Sequence, residues 1–161
     1  MEYGFVKVAS AVPTVKVADC RHNAWQMAEM IADAANQNVE IIIFPELSIT
    51  GYTCGDLFAQ SVLLEEAEKS LEWLVAETQS LPVISIVGIP HPHNGSLINA
   101  AVVFQSGKIL GVVPKTFLPN YKEFYEKRWF ASALQTPECV TSICAQRVPM
   151  QRDMLFATGN T

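Results

Sequence analysis

The sequence predicts an α/β fold built on a β-sheet of mixed strand direction. Segments 39–44, 82–89 and 109–113 contain largely continuous apolar runs, which is typical of strands buried on both faces of a sheet. Segments 19–36 and 60–79 instead repeat apolar residues at helical spacing. Strands and helices that alternate in this way, followed by a hairpin pattern, favour an α/β sheet of mixed direction.

Residues 5–44 predict a strand, a helix and a second strand. Residues 5–12 alternate imperfectly between apolar and small or polar types, so we expect a first strand that Pro13 closes. The helix 19–36 starts at Asp19, a residue type that caps helix N-termini. The strand 39–44 follows, and we expect it to end where Pro45 cannot donate to a sheet ladder.

The middle of the chain predicts a second helix and three further strands. The helix 60–79 has one apolar face and one acidic face, which is the pattern of a helix packed on a core. The strand 82–89 is expected to end at Pro90. A hairpin of 97–104 and 109–113 follows.

The last third of the chain is less regular. Residues 121–129 mix four aromatic residues with charges, which favours a loop or short helix lining a pocket. Residues 141–144 form a weak edge-strand pattern, and 153–156 resemble the approach to another strand.

Composition limits the classes of function. The 161 residues are 50% hydrophobic and 17% charged, as in a folded domain or part of one. The net charge of -5 and the lack of a basic cluster argue against a nucleic-acid partner. We expect a cytoplasmic protein without a membrane partner, because no long apolar run or signal-peptide pattern is present. The four cysteines lack disulfide-framework or zinc-pair spacing, which agrees with a reducing compartment.

Two charged residues follow predicted strands in the same way. Glu46 comes after Pro45, and Lys115 comes after Pro114. Open α/β sheets bind ligands beyond the carboxyl ends of their strands, so the two side chains are expected to pair there. They would provide a base and an electrostatic clamp for developing negative charge. The alternative for each is a solvated loop residue.

Motifs around these residues resemble the nitrilase (carbon-nitrogen hydrolase) superfamily. The resemblance is carried by Phe-Pro-Glu-Leu at 44–47 with Thr-Gly-Tyr at 50–52, by Val-Pro-Lys-Thr-Phe-Leu-Pro-Asn-Tyr at 113–121 and by Glu-Lys-Arg-Trp-Phe at 126–130. Gly-Asp-Leu at 55–57 and the block 118–130 are most similar to the amidase domain of glutamine-dependent NAD synthetases. The resemblance covers essentially the whole chain and implies part of a nitrilase-like αββα sandwich, with a mixed sheet and helices on its outer face.

The resemblance also implies roles for individual residues. Glu46 would be the general base, Lys115 would stabilise the tetrahedral oxyanion, and Glu126 would support the lysine and the substrate. Tyr121 would contact glutamine or line its passage, with an aromatic packing role as the alternative. In the family, the cysteine nucleophile lies downstream of the segment that residues 148–156 resemble. We therefore expect no catalytic nucleophile in residues 1–161.

Two cysteines and a histidine pair are further candidate sites. Cys144 follows Ile143 but lacks the acidic pair of the family's nucleophile motif, and we expect it to be a buried structural thiol. Cys54 is expected to be a loop thiol. His91 and His93 could share a strand face as metal ligands, but a third ligand is lacking, so no metal site is expected.

The implied function is the glutaminase part of an NAD synthetase, which supplies ammonia for the amidation of deamido-NAD. Residues 1–161 would then be the N-terminal portion of the amidase domain, without cofactor; ATP and magnesium would belong to the parent's synthetase domain. The expected partners are glutamine, the remaining parts of the parent, and further copies in a homo-oligomer. Alternatives are another carbon-nitrogen hydrolase acting on a small amide, or a non-catalytic binding or assembly module. We expect the chain alone to be inactive and to self-associate through sheet surface that the rest of the parent would cover.

Overall fold

A computed structural model describes residues 5–157. In this range the chain forms a seven-stranded mixed sheet, two α-helices and short 3-10 turns. The elements are β1 (Val8–Ser10), α1 (Cys20–Asn36), β2 (Ile41–Ile43), 3-10 turns in Tyr52–Ala59, α2 (Ser61–Glu77), β3 (Ile84–His93), β4 (Ser96–Gln105), β5 (Lys108–Pro114), a 3-10 turn at Glu126–Arg128, β6 (Cys139–Ile143) and β7 (Gln146–Met150). The predicted α/β class is confirmed. None of the helices between residues 5 and 157 has the length and apolar character needed to cross a bilayer.

The strand order explains where the helices lie. The sheet runs β1-β2-β3-β4-β5-β7-β6, with β1, β2 and β3 parallel to one another. Because α1 and α2 connect successive parallel strands, right-handed crossovers put both helices on the same face of the sheet. The helices accordingly pack against each other, and they run in the same direction. The remaining pairs are antiparallel except for β5 with β7.

The first helix forms as its sequence predicts. The Asp19 side chain caps α1 by accepting a hydrogen bond from the backbone N–H of His22 at 3.2 Å. One stripe of the helix is buried: Ala24, Met27, Ala28, Ile31 and Ala34. The apolar face of α2 is buried in the same way.

The two faces of the sheet are covered unequally. On the helix face, Val87, Val102 and Val112 stand in register on neighbouring strands and are fully buried. On the opposite face Ile43 is 47% exposed, and Ile86 is only partly buried. The second face is therefore an apolar surface that residues 5–157 leave partly open.

Two predicted strand boundaries were wrong. The strand β3 continues through Pro90 to His93. The backbone N–H and C=O of Gly88 point away from β4, toward Ser48 and Ile49, and residues two apart in a strand face the same side. The nitrogen of Pro90 therefore also points away from β4, so no ladder hydrogen bond is lost. The first strand is shorter than the expected 5–12 and spans only Val8–Ser10.

The C-terminal hairpin was only half predicted. The expected edge strand at 141–144 is present as β6, but β7 was not predicted. The connecting turn holds Cys144 and Ala145, both at positive φ (48° and 57°). Hairpin turns of this kind usually carry Asn or Gly, so no turn signal is visible in these residues. The expected approach to a further strand at 153–156 has no strand structure, and Met154 packs over Gly111 instead.

Candidate active site

The backbone around Glu46 is fixed by its contact with the neighbouring strand. Glu46 lies in the turn after β2, and Leu47 adopts a positive φ of 52°. The turn passes so close to Gly88 that a Cβ there would overlap the Leu47 nitrogen. Gly88 donates its N–H to Ser48 Oγ and accepts from the Ile49 N–H, both at 3.1 Å. Two hydrogen bonds and a glycine thus position the carboxylate beyond the carboxyl end of β2.

Lys115 is held between two carboxylates. It follows β5, and its backbone N–H donates to the carbonyl of Asn99 at 2.8 Å. Its Nζ lies 2.6 Å from Glu46 Oε1, 2.9 Å from Glu126 Oε1 and 2.8 Å from Glu126 Oε2. The structure therefore brings together the three residues for which the sequence predicted catalytic roles.

Glu126 is the buried member of this cluster. It is the first residue of the 3-10 turn Glu126–Arg128, and only 2% of it is exposed. Its carboxylate is paired with Lys115 and also accepts a hydrogen bond from the Tyr52 hydroxyl at 2.7 Å. A buried carboxylate is stable only with such partners, so Glu126 and Lys115 depend on each other.

The electrostatics keep the lysine charged. Partial burial of Lys115 opposes its charge, but the hydrogen bonds from its ammonium to Glu126 and Glu46 outweigh burial, and its pKa is raised. Burial, together with the hydrogen bond to Glu126, raises the pKa of Tyr52. At neutral pH the cluster therefore holds an ammonium and an un-ionised phenol.

Two contributing residues were missed in the sequence. Asn99 is buried, and its side-chain amide donates a hydrogen bond to Glu46 Oε1. The available signal was a polar residue inside the apolar strand pattern 97–104, since a buried amide needs a partner. Tyr52 belongs to the Thr-Gly-Tyr stretch at 50–52 that carries part of the family resemblance, but no role was predicted for its hydroxyl.

A second set of contacts ties the 3-10 turns of Tyr52–Ala59 to the block that contains Glu126. Asp56 Oδ1 accepts hydrogen bonds from Arg128 Nε at 2.8 Å and from Trp129 Nε1 at 3.0 Å. These bonds lower the pKa of Asp56 to about 2. Phe58 packs edge-on against Phe130 with ring centroids 5.0 Å apart. These contacts connect the segments that carry Tyr52 and Glu126.

A cavity of about 330 Å³ opens beside the cluster on the uncovered face of the sheet. Its polar lining comes from Glu46, Asn99 and Lys115, and its apolar lining includes Ile86 and Val113. A carboxylate can accept a proton there, and the adjacent ammonium can stabilise negative charge on an oxygen. The cavity thus has groups suited to acyl-transfer chemistry.

Tyr121 lies apart from the cluster. It is 65% exposed, and its ring packs edge-on against Phe124 at a centroid distance of 5.8 Å. It is not among the residues that line the cavity beside Glu46. Its contact with substrate stays a prediction.

Cys144 and Cys54 both lie in environments that keep their thiols protonated. Cys144 lies in the turn that begins β7, which runs parallel to β5, so it is at the opposite end of the sheet from Lys115. Its backbone N–H donates to Glu68 at 2.8 Å, and burial raises the pKa of its thiol to about 12. Cys54 donates to the carbonyl of Thr50 at 3.2 Å, and burial raises its pKa as well. Neither environment favours a thiolate nucleophile.

The histidine pair makes a packing contact with β6. His91 is buried, and its Nε2 lies 2.8 Å from Thr141 Oγ1. Burial, with a smaller contribution from the charge of His93, lowers the pKa of His91 to about 4. Between residues 5 and 157, no group of three or more His, Cys, Asp or Glu side chains has metal-site geometry.

Comparison with known proteins identifies the family. Residues 7–152 match the model of the carbon-nitrogen hydrolase family. The chain belongs to this family. This carbon-nitrogen hydrolase is 38% identical, over 99% of its length, to the glutamine-dependent NAD(+) synthetase of Mycobacterium bovis. It is 39% identical over 71% of its length to the corresponding synthetase of Aquifex aeolicus. The chain spans only 23% and 20% of the lengths of these relatives.

Solved structures agree with this assignment. A glutamine-dependent NAD(+) synthetase from Cytophaga hutchinsonii superposes on this carbon-nitrogen hydrolase with a TM-score of 0.83 and 28% identity, covering 90% of this chain and 25% of that one. An amidase from Nesterenkonia sp. superposes with a TM-score of 0.67 over 89% of this chain and 54% of that one, and at 20% identity it shows the fold alone. The resemblance and the nitrilase-like fold class predicted from the sequence are confirmed.

Proposed function

We propose that this chain supplies the base and the oxyanion clamp of the glutaminase site in a glutamine-dependent NAD(+) synthetase. The observation that carries the proposal is the contact of Lys115 Nζ with both Glu46 and Glu126, at 2.6 to 2.9 Å. The synthetase relatives support the choice of this enzyme over others in the family.

In the proposed reaction, Glu46 takes the proton from a cysteine thiol, and the resulting thiolate attacks the side-chain carbonyl carbon of glutamine. Lys115 stabilises the negative charge that develops on the carbonyl oxygen. The C–N bond then breaks, ammonia leaves with a proton returned from Glu46, and water hydrolyses the thioester to glutamate. Glu126 holds Lys115 in place from its buried side.

The nucleophilic cysteine would come from outside residues 1–161. We infer that this segment is the N-terminal portion of an amidase domain, and that the remaining polypeptide covers the open face where Ile43 and Ile86 lie. The family resemblance implies this arrangement, and the short coverage of the relatives supports it. The chain on its own would then lack glutaminase activity.

The synthetase step would also take place outside this segment. ATP and magnesium would be bound by the parent's synthetase domain, where ammonia converts deamido-NAD to NAD. The residues described here offer no acidic cluster that fits a magnesium ion, so no step of that reaction is assigned to them. We propose a cytoplasmic location for the parent, since all of its proposed substrates are soluble metabolites.

The test is ammonia release by the full polypeptide encoded by the gene that contains this segment. The wild-type protein should release ammonia from glutamine, and Glu46→Gln should remove that activity because no base remains to take the thiol proton. Glu72→Gln is the matched control, since it also neutralises a glutamate but lies exposed on α2, outside the cavity.

The same assay separates the alternative carbon-nitrogen hydrolase function. Asparagine, short aliphatic amides and carbamoyl compounds are offered beside glutamine at equal concentration. Preference for one of these substrates over glutamine would contradict the proposed function, even if Glu46 proved essential.

A further inference from the structure

The outer surface of the two helices carries a repeated charge pattern that the proposed site does not use. On α1, Arg21, Trp25 and Glu29 follow one another at intervals of four residues. On α2, Lys69, Trp73 and Glu77 have the same order and spacing. Residues four apart share one face of a helix, so each helix presents a stripe of cation, tryptophan and carboxylate.

All six side chains are exposed. Trp25 is 49% exposed and Trp73 is 41% exposed, although tryptophan is usually well buried. They occupy the centre of the surface formed by the two stripes, which we call the helix-pair surface. Tryptophan and arginine are the residue types that contribute most to protein interfaces.

Two cavities meet at the tryptophans. One, of about 450 Å³, lies at the end that carries Arg21 and Lys69, and it is also lined by Glu66, Ser70 and both indoles. The other, of about 310 Å³, lies at the acidic end and is lined by Glu29 and Glu77 with the same indoles. The two stripes are therefore aligned side by side, with like ends together.

The charges on the helix-pair surface are complementary to the same surface turned around. A two-fold axis that lies in the plane of the surface and crosses both helices at the tryptophans would set each helix antiparallel to its copy. The cation and carboxylate of one stripe are eight residues apart, or about 12 Å along the helix. This rotation would place Arg21 opposite Glu29 of the copy and Lys69 opposite Glu77 of the copy. Because the axis is two-fold, each contact occurs twice, which gives four ion pairs. An axis along the helices would instead oppose like charges, so the pattern selects one of the two arrangements.

We propose that the helix-pair surface binds a second copy of this chain, with the tryptophans at the centre and four ion pairs around them. The ion pairs that Arg21 and Lys69 already make within the chain do not prevent them from pairing with a copy. Arg21 already bonds Glu66 at 2.6 Å but has further guanidinium donors. Lys69 makes only a long contact with Glu65, at 3.9 Å. Glu29 and Glu77 have no ion pair among residues 5–157 and are open to a partner's cation.

The experiment is a sedimentation equilibrium series on the 161-residue chain with two charge-reversed variants. Arg21→Glu with Lys69→Glu makes all four exposed ends acidic, and Glu29→Lys with Glu77→Lys makes them all basic. Each variant alone should dimerise at least about tenfold more weakly than the wild type, because every opposed pair becomes a pair of like charges. An equimolar mixture of the two should recover a dimer of one copy of each.

Two controls identify the surface. Lys108→Glu with Lys127→Glu reverses two exposed cations outside the helix-pair surface and should leave dimerisation unchanged. Ile43→Arg places a charge on the open sheet face, and it should not prevent dimerisation through the helices. A wild-type chain that stays monomeric would overturn the proposal. So would a mixture that fails to recover the dimer, or a dimer lost in Ile43→Arg but kept in both charge-reversed variants.

Discussion

The replacement Glu126→Gln tests how strongly the cluster is held together. The carboxylate is 2% exposed and accepts two hydrogen bonds from Lys115 and one from Tyr52. Breaking a buried ion pair by removing one partner costs about 3–5 kcal/mol. Lys115 keeps its bond to Glu46 at 2.6 Å, and the amide oxygen of glutamine can still accept a hydrogen bond. We therefore expect a loss of about 2–3 kcal/mol in the free energy of unfolding.

Urea unfolding followed by circular dichroism measures this loss. With a denaturant dependence of about 2 kcal/mol per molar urea, the midpoint should fall by roughly 1 M. Asp56→Asn is the control, because its pair with Arg128 is exposed at both ends (72% and 63%) and solvent screens it. A midpoint for Glu126→Gln no lower than that of Asp56→Asn would refute the idea that Lys115 and Glu126 form a buried, interdependent pair.

Three further predictions follow from the same structure. Gly88→Ala should destabilise the chain by more than about 3 kcal/mol in urea unfolding, because the added methyl overlaps the backbone of Leu47 in a turn that two hydrogen bonds hold against Gly88. A change of less than about 1 kcal/mol would contradict the close approach. Because the pKa of Lys115 is raised in the folded chain, its stabilising effect is complete below the ordinary value of 10.5 and is lost as the pH rises above it. The difference in unfolding free energy between wild type and Lys115→Met should therefore shrink only in that alkaline range. A difference that shrinks between pH 6 and 9 would contradict the pairing of Lys115 with Glu46 and Glu126. Burial raises the pKa of Cys144 to about 12, so iodoacetamide at pH 8 should modify it roughly a thousandfold more slowly in the folded than in the unfolded chain. Peptide mapping that finds Cys144 modified as fast as the partly exposed Cys139 would contradict the burial of Cys144.

The elements that the sequence predicted well share one cause. Segments 19–36 and 60–79 have a strong 3.6-residue period, and both are helices in the structure. The apolar runs that end near Pro45 and Pro114 are strands. One set of alternating side chains, with Ile42 and Val112, is buried on the helix face, and the other set, with Ile43 and Val113, lies on the apolar, partly open face. In these places local pattern and tertiary packing demand the same conformation.

The misses also have physical causes. Proline predicts a strand end only if its nitrogen would face a neighbouring strand, and at Pro90 that side has no strand partner. The turn at Cys144 and Ala145 uses residues with no turn preference, so β7 could not be predicted from local sequence. Tertiary contacts, rather than local propensity, decide both positions.

The site could be predicted only in part. Glu46 and Lys115 follow proline-terminated strands, so their closeness could be inferred from the strand-end rule. The place of Glu126 came from the family resemblance, since nothing in its local pattern reveals that it is buried. Asn99 contacts Glu46 across 53 positions of sequence, and a contact of that range becomes visible only when the strands are aligned.

The most direct test of the proposed role is NAD formation by the full polypeptide with two nitrogen sources. Glu46→Gln removes the base of the amidase site but leaves the proposed synthetase domain untouched. The account predicts that the variant loses NAD formation from glutamine and keeps NAD formation from added ammonia. Equal loss with both nitrogen sources, or full activity with glutamine, would contradict the role assigned to Glu46 and its partner Lys115.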